Sequence, residues 1–166
     1  MSESAPTTPG AGSKAKVLTV SDGVSTGHRE DLSGRALVDI LMAAGFEVVE
    51  HRVAPDGADS VAMTLSSMCD GFEGVIVTTG GTGFAPRDQT PEGTRQVIDR
   101  EAPGLAEAMR LVNPLGRLSR GIAGITGSTI ICNTPGSPKG CVEQLTAIID
   151  VLPHALRLLA ERPTDH

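Results

Sequence analysis

Gly74-Val75-Ile76-Val77-Thr78, followed directly by Thr79-Gly80-Gly81-Thr82-Gly83, is the stretch whose reading decides the fold. The first half is a short, unbroken apolar run rich in β-branched residues, the pattern of a strand buried on both faces. The second half releases the chain toward a helix through three glycines. Glycine admits positive φ and lets the backbone come close to a ligand, so successive N–H groups can face one concavity and hold a phosphate. The threonine hydroxyls add donors. A tight strand-to-helix turn with no ligand is the plainer alternative. The segment is no Walker loop, because no Gly-Lys-Ser/Thr follows, and it is not the dinucleotide fingerprint either.

Working outward, the same alternation recurs on both sides. Residues 16–20 form a short apolar run and read as the first strand, followed by a polar loop over residues 21–31. Residues 32–44 space Leu32, Ala36, Leu37, Ile40 and Leu41 as one helical face, with Gly45 as the stop. Residues 46–53 alternate as a second strand, and residues 59–68 place Val61, Ala62, Leu65 and Met68 on one helix face. Strand and helix in strict alternation predict an α/β fold with a mostly parallel sheet between helices. Ligands in such folds gather beyond the carboxyl ends of the strands, here the loops after Val20, Val53 and Val77.

Downstream, Thr90-Pro91-Glu92 carries the marks of a helix start, with Thr90 as N-cap, and Gly93 weakens that helix by up to ~1 kcal/mol. Pro103 and Pro114 bracket a short helix, and residues 121–131 read as a hairpin turning at Thr126-Gly127-Ser128. Residues 141–159 suit a long apolar helix that Pro153 kinks or divides.

Composition sets the function classes. With 166 residues the chain suits one domain, over residues 15–162, behind a Ser/Pro/Thr/Gly-rich stretch at residues 1–14 expected to be disordered. A net charge of −6 argues against a nucleic-acid partner, and the absence of Trp and Tyr removes stacking platforms for single strands. No apolar run approaches the ~20 residues a bilayer requires, and no signal peptide opens the chain, so a cytoplasmic protein is expected. Cys69, Cys132 and Cys141 are odd in number and lack metal-ligand spacing, which fits reduced structural thiols. The four histidines likewise have no metal spacing.

The candidate site residues cluster at the strand exits. Asp88 in Pro86-Arg87-Asp88-Gln89-Thr90 either shapes a turn or, beside a phosphate nest, requires a bridging cation. Mg²⁺ suits that arrangement, held by one or two carboxylates plus substrate phosphates. Arg87 has a phosphate or Asp88 itself as partner. Asp56, in Ala54-Pro55-Asp56-Gly57, ends the second strand on the same edge and makes a two-carboxylate site plausible. Ser21-Asp22-Gly23 opens the loop after the first strand. Farther along it, Asp31 or Ser33 caps the helix, or else Arg29 or Asp31 meets a ligand or a neighbouring subunit. Asn133-Thr134-Pro135-Gly136-Ser137-Pro138-Lys139-Gly140 is a second rigid loop at a helix start, with Lys139 as a mobile positive charge.

Taken in order, these strings resemble the signature of the molybdopterin-binding (MogA/MoaB-type) family. The resemblance rests on Thr79-Gly80-Gly81-Thr82-Gly83, Pro86-Arg87-Asp88 and Thr90-Pro91-Glu92. Ser21-Asp22 with Gly27, Arg29, Asp31 and Ser33-Gly34, then Leu118-Ser119-Arg120, and finally Asn133 to Pro138 extend it over about residues 16–159. It implies a three-layer α/β/α sandwich, a homotrimer, and binding of molybdopterin, the dithiolene pterin of the molybdenum cofactor. It also implies Mg²⁺-dependent transfer of AMP from ATP to molybdopterin, with other cofactor-biosynthesis proteins as partners. Asp56 and Asp88 match the two functional aspartates of the adenylating branch, as catalytic and metal-binding residues. Thr79, Gly80, Gly81, Thr82, Gly83, Arg87, Ser21, Asp22, Asn133, Pro135, Gly136, Ser137 and Lys139 fall to the substrates. Paralogues that bind the pterin without catalysis are the alternative. Gly93 and Gly23 depart from the family, which often has Ala at the first and a larger or polar residue at the second.

Overall fold

A computed structural model describes residues 8–162. In chain order the elements are β1 (Lys14–Val20), α1 (Asp22–Ser25), α2 (Leu32–Ala43), β2 (Glu47–Ala54), α3 (Ala58–Cys69) and β3 (Gly74–Thr79). They continue with α4 (Thr90–Arg95), β4 (Arg100–Glu101), α5 (Pro103–Leu111), a 3-10 turn (Pro114–Leu118), β5 (Ala123–Thr126) and β6 (Thr129–Thr134). Two helices close the chain, α6 (Pro138–Thr146) and α7 (Leu152–Leu159).

The six strands form one sheet in the order β2-β1-β3-β6-β5-β4. β2, β1, β3 and β6 run parallel, and β5 and β4 join antiparallel at one side. From β1 the chain passes to β2 on one side and then crosses back to β3 on the other. A crevice therefore opens beyond the carboxyl ends of β1 and β3, where the strand order reverses.

The two faces of the sheet are covered by different helices, which makes three layers. Ala15, Val17, Val75, Val77, Ile130 and Cys132 pack one face against α2, α5, α6 and α7. Leu18, Val20, Ile76 and Ile131 pack the other against Val61, Leu65 and Met68 of α3. Odd and even strand residues are thus both buried, which is why β1 and β3 read as continuous apolar runs.

Local differences have local causes. The loop after β1 contains the one-turn helix α1, capped by Ser21, whose Oγ accepts from the Val24 N–H. The expected helix over residues 141–159 is divided, and Pro153 lies in the first turn of α7, where its missing N–H is no loss. β4 is two residues long, too short to leave a pattern. Residues 1–7 of the stretch expected as a tail lie outside the described residues. Within residues 8–14 the chain is anchored at Gly10, which is buried and donates its N–H to the Ala44 carbonyl at 2.6 Å, while Thr8, Pro9, Ala11 and Gly12 are exposed.

Burial raises all three thiols, Cys132 to about 12 and Cys69 and Cys141 to about 11. The folded chain therefore holds these protons more tightly than the unfolded chain. That contribution is complete below the unfolded thiol value near 9 and is lost as pH rises through 11. The expected results are slow alkylation of the native protein at pH 8 and a urea midpoint that falls between pH 9 and 11. Quantitative alkylation without denaturant would contradict the assignment.

Candidate functional site

Gly80 and Gly81 take φ of +97° and +69°, so the chain leaves β3 with two consecutive left-handed residues. A Cβ on Gly80 would lie 2.2 Å from the Val20 carbonyl oxygen, and one on Gly81 2.2 Å from Thr90 Oγ1. The Gly80 N–H donates to the Thr134 carbonyl at 3.1 Å, and the Gly80 carbonyl accepts from Thr90 Oγ1 at 2.9 Å. The exits of β1, β3 and β6 and the start of α4 are thereby tied at one residue. Thr90 is consequently not the N-cap: Gln89 holds that position with no side-chain cap bond. The tertiary bond to Gly80 takes the hydroxyl that local capping would use. Beyond this knot, the amides of Gly81, Thr82 and Gly83 have no acceptor among the described residues. They are three donors available to an anion.

Asp22 and Asp56 are locked to each other. The Asp22 N–H donates to Asp56 Oδ2 and the Asp56 N–H to Asp22 Oδ1, both at 3.1 Å. Arg87 closes the arrangement, donating from Nε to Asp22 Oδ2 at 2.6 Å and from Nη2 to Asp22 Oδ1 at 3.1 Å. Its Nη2 also reaches the Asp56 carbonyl at 3.2 Å. Arg87 thus pairs with Asp22, and neither Asp88 nor a cavity is its partner in this structure. The Arg87 hydrogen bond holds the Asp22 carboxyl below its ordinary value. Partial burial pushes Asp56 the other way, with the Asp22 and Asp88 charges adding to the shift. A carboxylate crowded by two others is one that a cation stabilises.

Asp88 Oδ2 accepts the Ala85 N–H at 3.1 Å, a bond that closes its own turn. Arg120 holds that turn to the glycine loop, donating to the Gly83 carbonyl at 2.8 Å and to the Asp88 carbonyl at 2.5 Å. The remaining nitrogen pairs with both Glu92 oxygens, at 2.8 and 3.1 Å. The sequence placed Arg120 in a motif without giving it a task. Its bonds reach 37 residues along the chain, beyond any local signal.

Two cavities of about 580 and 550 Å³ flank the loop. Ser21, Asp56, Thr79 and Gly80 face the first; Thr82, Gly83, Pro135 and Lys139 face the second. Gly81, Asp88, Gly136 and Ser137 line both. Lys139 is 84% exposed and lies 3.8 Å from Glu143. Ser137 caps α6 by accepting the Gly140 N–H at 3.0 Å. Asp31 is the cap of α2, accepting from the Gly34 N–H and from Thr19 Oγ1, with His51 Nε2 at 2.9 Å. Among the described residues no group of three or more His, Cys, Asp or Glu could hold a metal. Two carboxylates, completed by phosphate oxygens and water, still fit Mg²⁺.

Of the residues expected to touch substrate, Asp22, Arg87 and Asn133 line neither cavity. Asn133 is 1% exposed and fully engaged. Its Nδ2 donates to Thr78 Oγ1 and Thr94 Oγ1 at 3.0 Å, and its Oδ1 accepts the Ile122 N–H at 3.1 Å. Position beside a Gly/Pro loop suggested a ligand contact, but the side chain points back between β3 and α4. Asn133→Ala orphans the Ile122 N–H and is expected to cost about 2–3 kcal/mol in urea unfolding. A change below about 0.5 kcal/mol would remove this structural role.

A family model described as "Probable molybdopterin binding domain" matches residues 16–154. The chain belongs to this family. Within the molybdopterin-binding family, a relative named molybdopterin adenylyltransferase, from Helicobacter pylori (strain J99), is 39% identical over 150 residues. That match covers 86% of this chain and 85% of the relative. A protein of the same name from Escherichia coli (strain K12) is 37% identical, covering 81% of this chain and 72% of its own. Among solved structures, the molybdopterin biosynthesis enzyme MoaB from Thermus thermophilus superposes with a TM-score of 0.84 at 46% identity. It covers 92% of this chain and 99% of that one. Glycine at position 93 has a packing reason. A Cβ there would come 2.6 Å from the Ala58 carbonyl and 2.7 Å from Val61 Cβ, so glycine permits the close α3–α4 contact.

Proposed function

We propose that the chain works in molybdenum cofactor biosynthesis, transferring AMP from ATP to the terminal phosphate of molybdopterin. A phosphate oxygen of molybdopterin forms a bond to the α-phosphorus of ATP. The bond from that phosphorus to the bridging oxygen breaks, and pyrophosphate leaves with the electron pair. The observation that carries this reading is the shared wall between the two cavities. Two phosphate-bearing substrates must meet at their phosphates, and Gly81, Asp88, Gly136 and Ser137 border both spaces at their junction.

No side-chain nucleophile is needed, since the attacking oxygen belongs to substrate. The chain's own contribution is positioning and charge stabilisation: free amides at Gly81, Thr82 and Gly83 receive phosphate oxygens. Asp56 and Asp88 would hold Mg²⁺, which supplies charge neutralisation between the phosphates. Asp22 and Arg87 act one step back, fixing Asp56. Thr79 acts in the same way, its hydroxyl bonded to the Pro135 carbonyl at 2.8 Å.

The same reading makes the protein a cytoplasmic homotrimer that exchanges its pterin with other biosynthesis proteins. Exposed Leu111, Val112, Leu115 and Leu118 offer apolar area that a second copy could cover. Among the described residues no helix is long and apolar enough to cross a membrane. Incubation of the protein with molybdopterin, ATP and Mg²⁺ tests the activity. Pyrophosphate and adenylylated pterin are expected; pterin binding without either product would leave a carrier.

A further inference from the structure

The first cavity has a charge imbalance that its ligand must meet. Asp56, Asp88 and Glu30 line it, and the cation lining it is Arg29. The guanidinium of Arg29 has no ion pair or hydrogen bond among the described residues, whereas Lys139 of the second cavity faces Glu143. The nearby carboxylates are already engaged: Asp22 by Arg87, and Asp31 by Thr19, His51 and the Gly34 amide. The cation shares the cavity wall with three acids and is bonded to none of them.

Its backbone, by contrast, is fixed. The amides of His28 and Arg29 both donate to the Gly23 carbonyl, at 2.9 and 3.1 Å. Two residues later Asp31 is pinned on three sides, so Arg29 stands between two anchors. The side chain lies across Gly23: a Cβ on that glycine would be 3.4 Å from Arg29 Cβ and 3.8 Å from its Nε. Those are ordinary van der Waals separations, so the Arg29 side chain runs in contact with position 23 along the edge of the cavity.

We propose that Arg29 is a positioning residue for the nucleotide, engaging the triphosphate of ATP in the first cavity opposite the Asp56–Asp88 pair. This rests on the adenylyl-transfer reading above. A metal-bound triphosphate keeps net negative charge on its outer oxygens, and an unpaired guanidinium on an anchored backbone meets that charge without first breaking an ion pair.

The test compares the parent chain with Arg29→Ala and Arg29→Lys, using calorimetric binding of a non-hydrolysable ATP analogue with Mg²⁺ alongside steady-state kinetics. Arg29→Ala is expected to weaken analogue binding and raise the KM for ATP about tenfold or more. Its melting temperature and the KM for molybdopterin should stay unchanged, and Arg29→Lys should recover part of the loss. Equal analogue affinity in Arg29→Ala overturns the assignment. So does a rise in the molybdopterin KM instead, or a lowered melting temperature that accounts for the loss. A parent chain that makes product while Arg29→Ala matches it sinks this inference and leaves the adenylyl-transfer reading standing. A parent chain that binds no nucleotide sinks both.

Discussion

Asp88→Asn is expected to fold like the parent chain and to lose adenylyl transfer by about a hundredfold or more. The two halves of that result come from different atoms. The fold uses only Asp88 Oδ2, which accepts the Ala85 N–H, and an asparagine oxygen can accept the same bond. The Arg120 contact is to the Asp88 backbone carbonyl and survives the change. The charge itself stabilises nothing nearby; it adds to the crowding that raises Asp56. A half-buried acid that repels its neighbour in the free protein belongs to a site whose ligand brings positive charge. Matching melting temperatures together with absent pyrophosphate release would meet the expectation. A folded, fully active variant would remove Asp88 from the metal site.

Gly80→Ala gives the opposite pattern, loss of both stability and activity. Alanine at φ +97° carries the left-handed penalty of about 1–2 kcal/mol, and its methyl would stand 2.2 Å from a backbone oxygen of Val20. A backbone carbonyl cannot swing aside like a side-chain tip, so β1 and β3 must part at their ends. We expect about 3 kcal/mol lost in urea unfolding and at least a tenfold fall in kcat/KM. Gly104→Ala, where a Cβ meets nothing within 4 Å, serves as the control and should change neither. A Gly80→Ala chain as stable as its parent would show that the loop is not held as described.

Much of this was legible in the sequence, for reasons that can be assigned. The parallel strands announced themselves because both faces are buried, so Val75, Ile76 and Val77 needed no alternation. The Pro-Asp-Gly turn, the hairpin at Gly127 and the break before Pro153 are local events, written in the residues that undergo them. The strand-exit rule pointed to the loops of Asp56, Gly80 and Asp88, which line one cavity, and Ser137, read from its place at a helix start, lines it with them. What the sequence could not show is where a polar side chain commits itself when several partners lie in reach. Thr90 looked like a cap and serves Gly80; Arg87 had a neighbouring Asp88 and chose Asp22, 65 residues away. Asn133 has the chemistry of a ligand contact and the burial of a core residue. These choices are settled by packing across the sheet, which leaves no periodic trace.

The borders of the sheet bear on how copies of this chain meet. An open strand edge is a template for adding further strands, and thus for uncontrolled aggregation. β4 ends one border after two residues, Arg100 and Glu101, both exposed and of opposite charge. On the other, β2 carries Glu47, Glu50, His51 and Arg52, and its register against β1 slips between Ala15 and Lys16. Such a bulge twists a border away from flat pairing. Sheet extension between copies is therefore disfavoured at both borders, which leaves helices and loops as the surfaces on which copies could meet without open-ended growth.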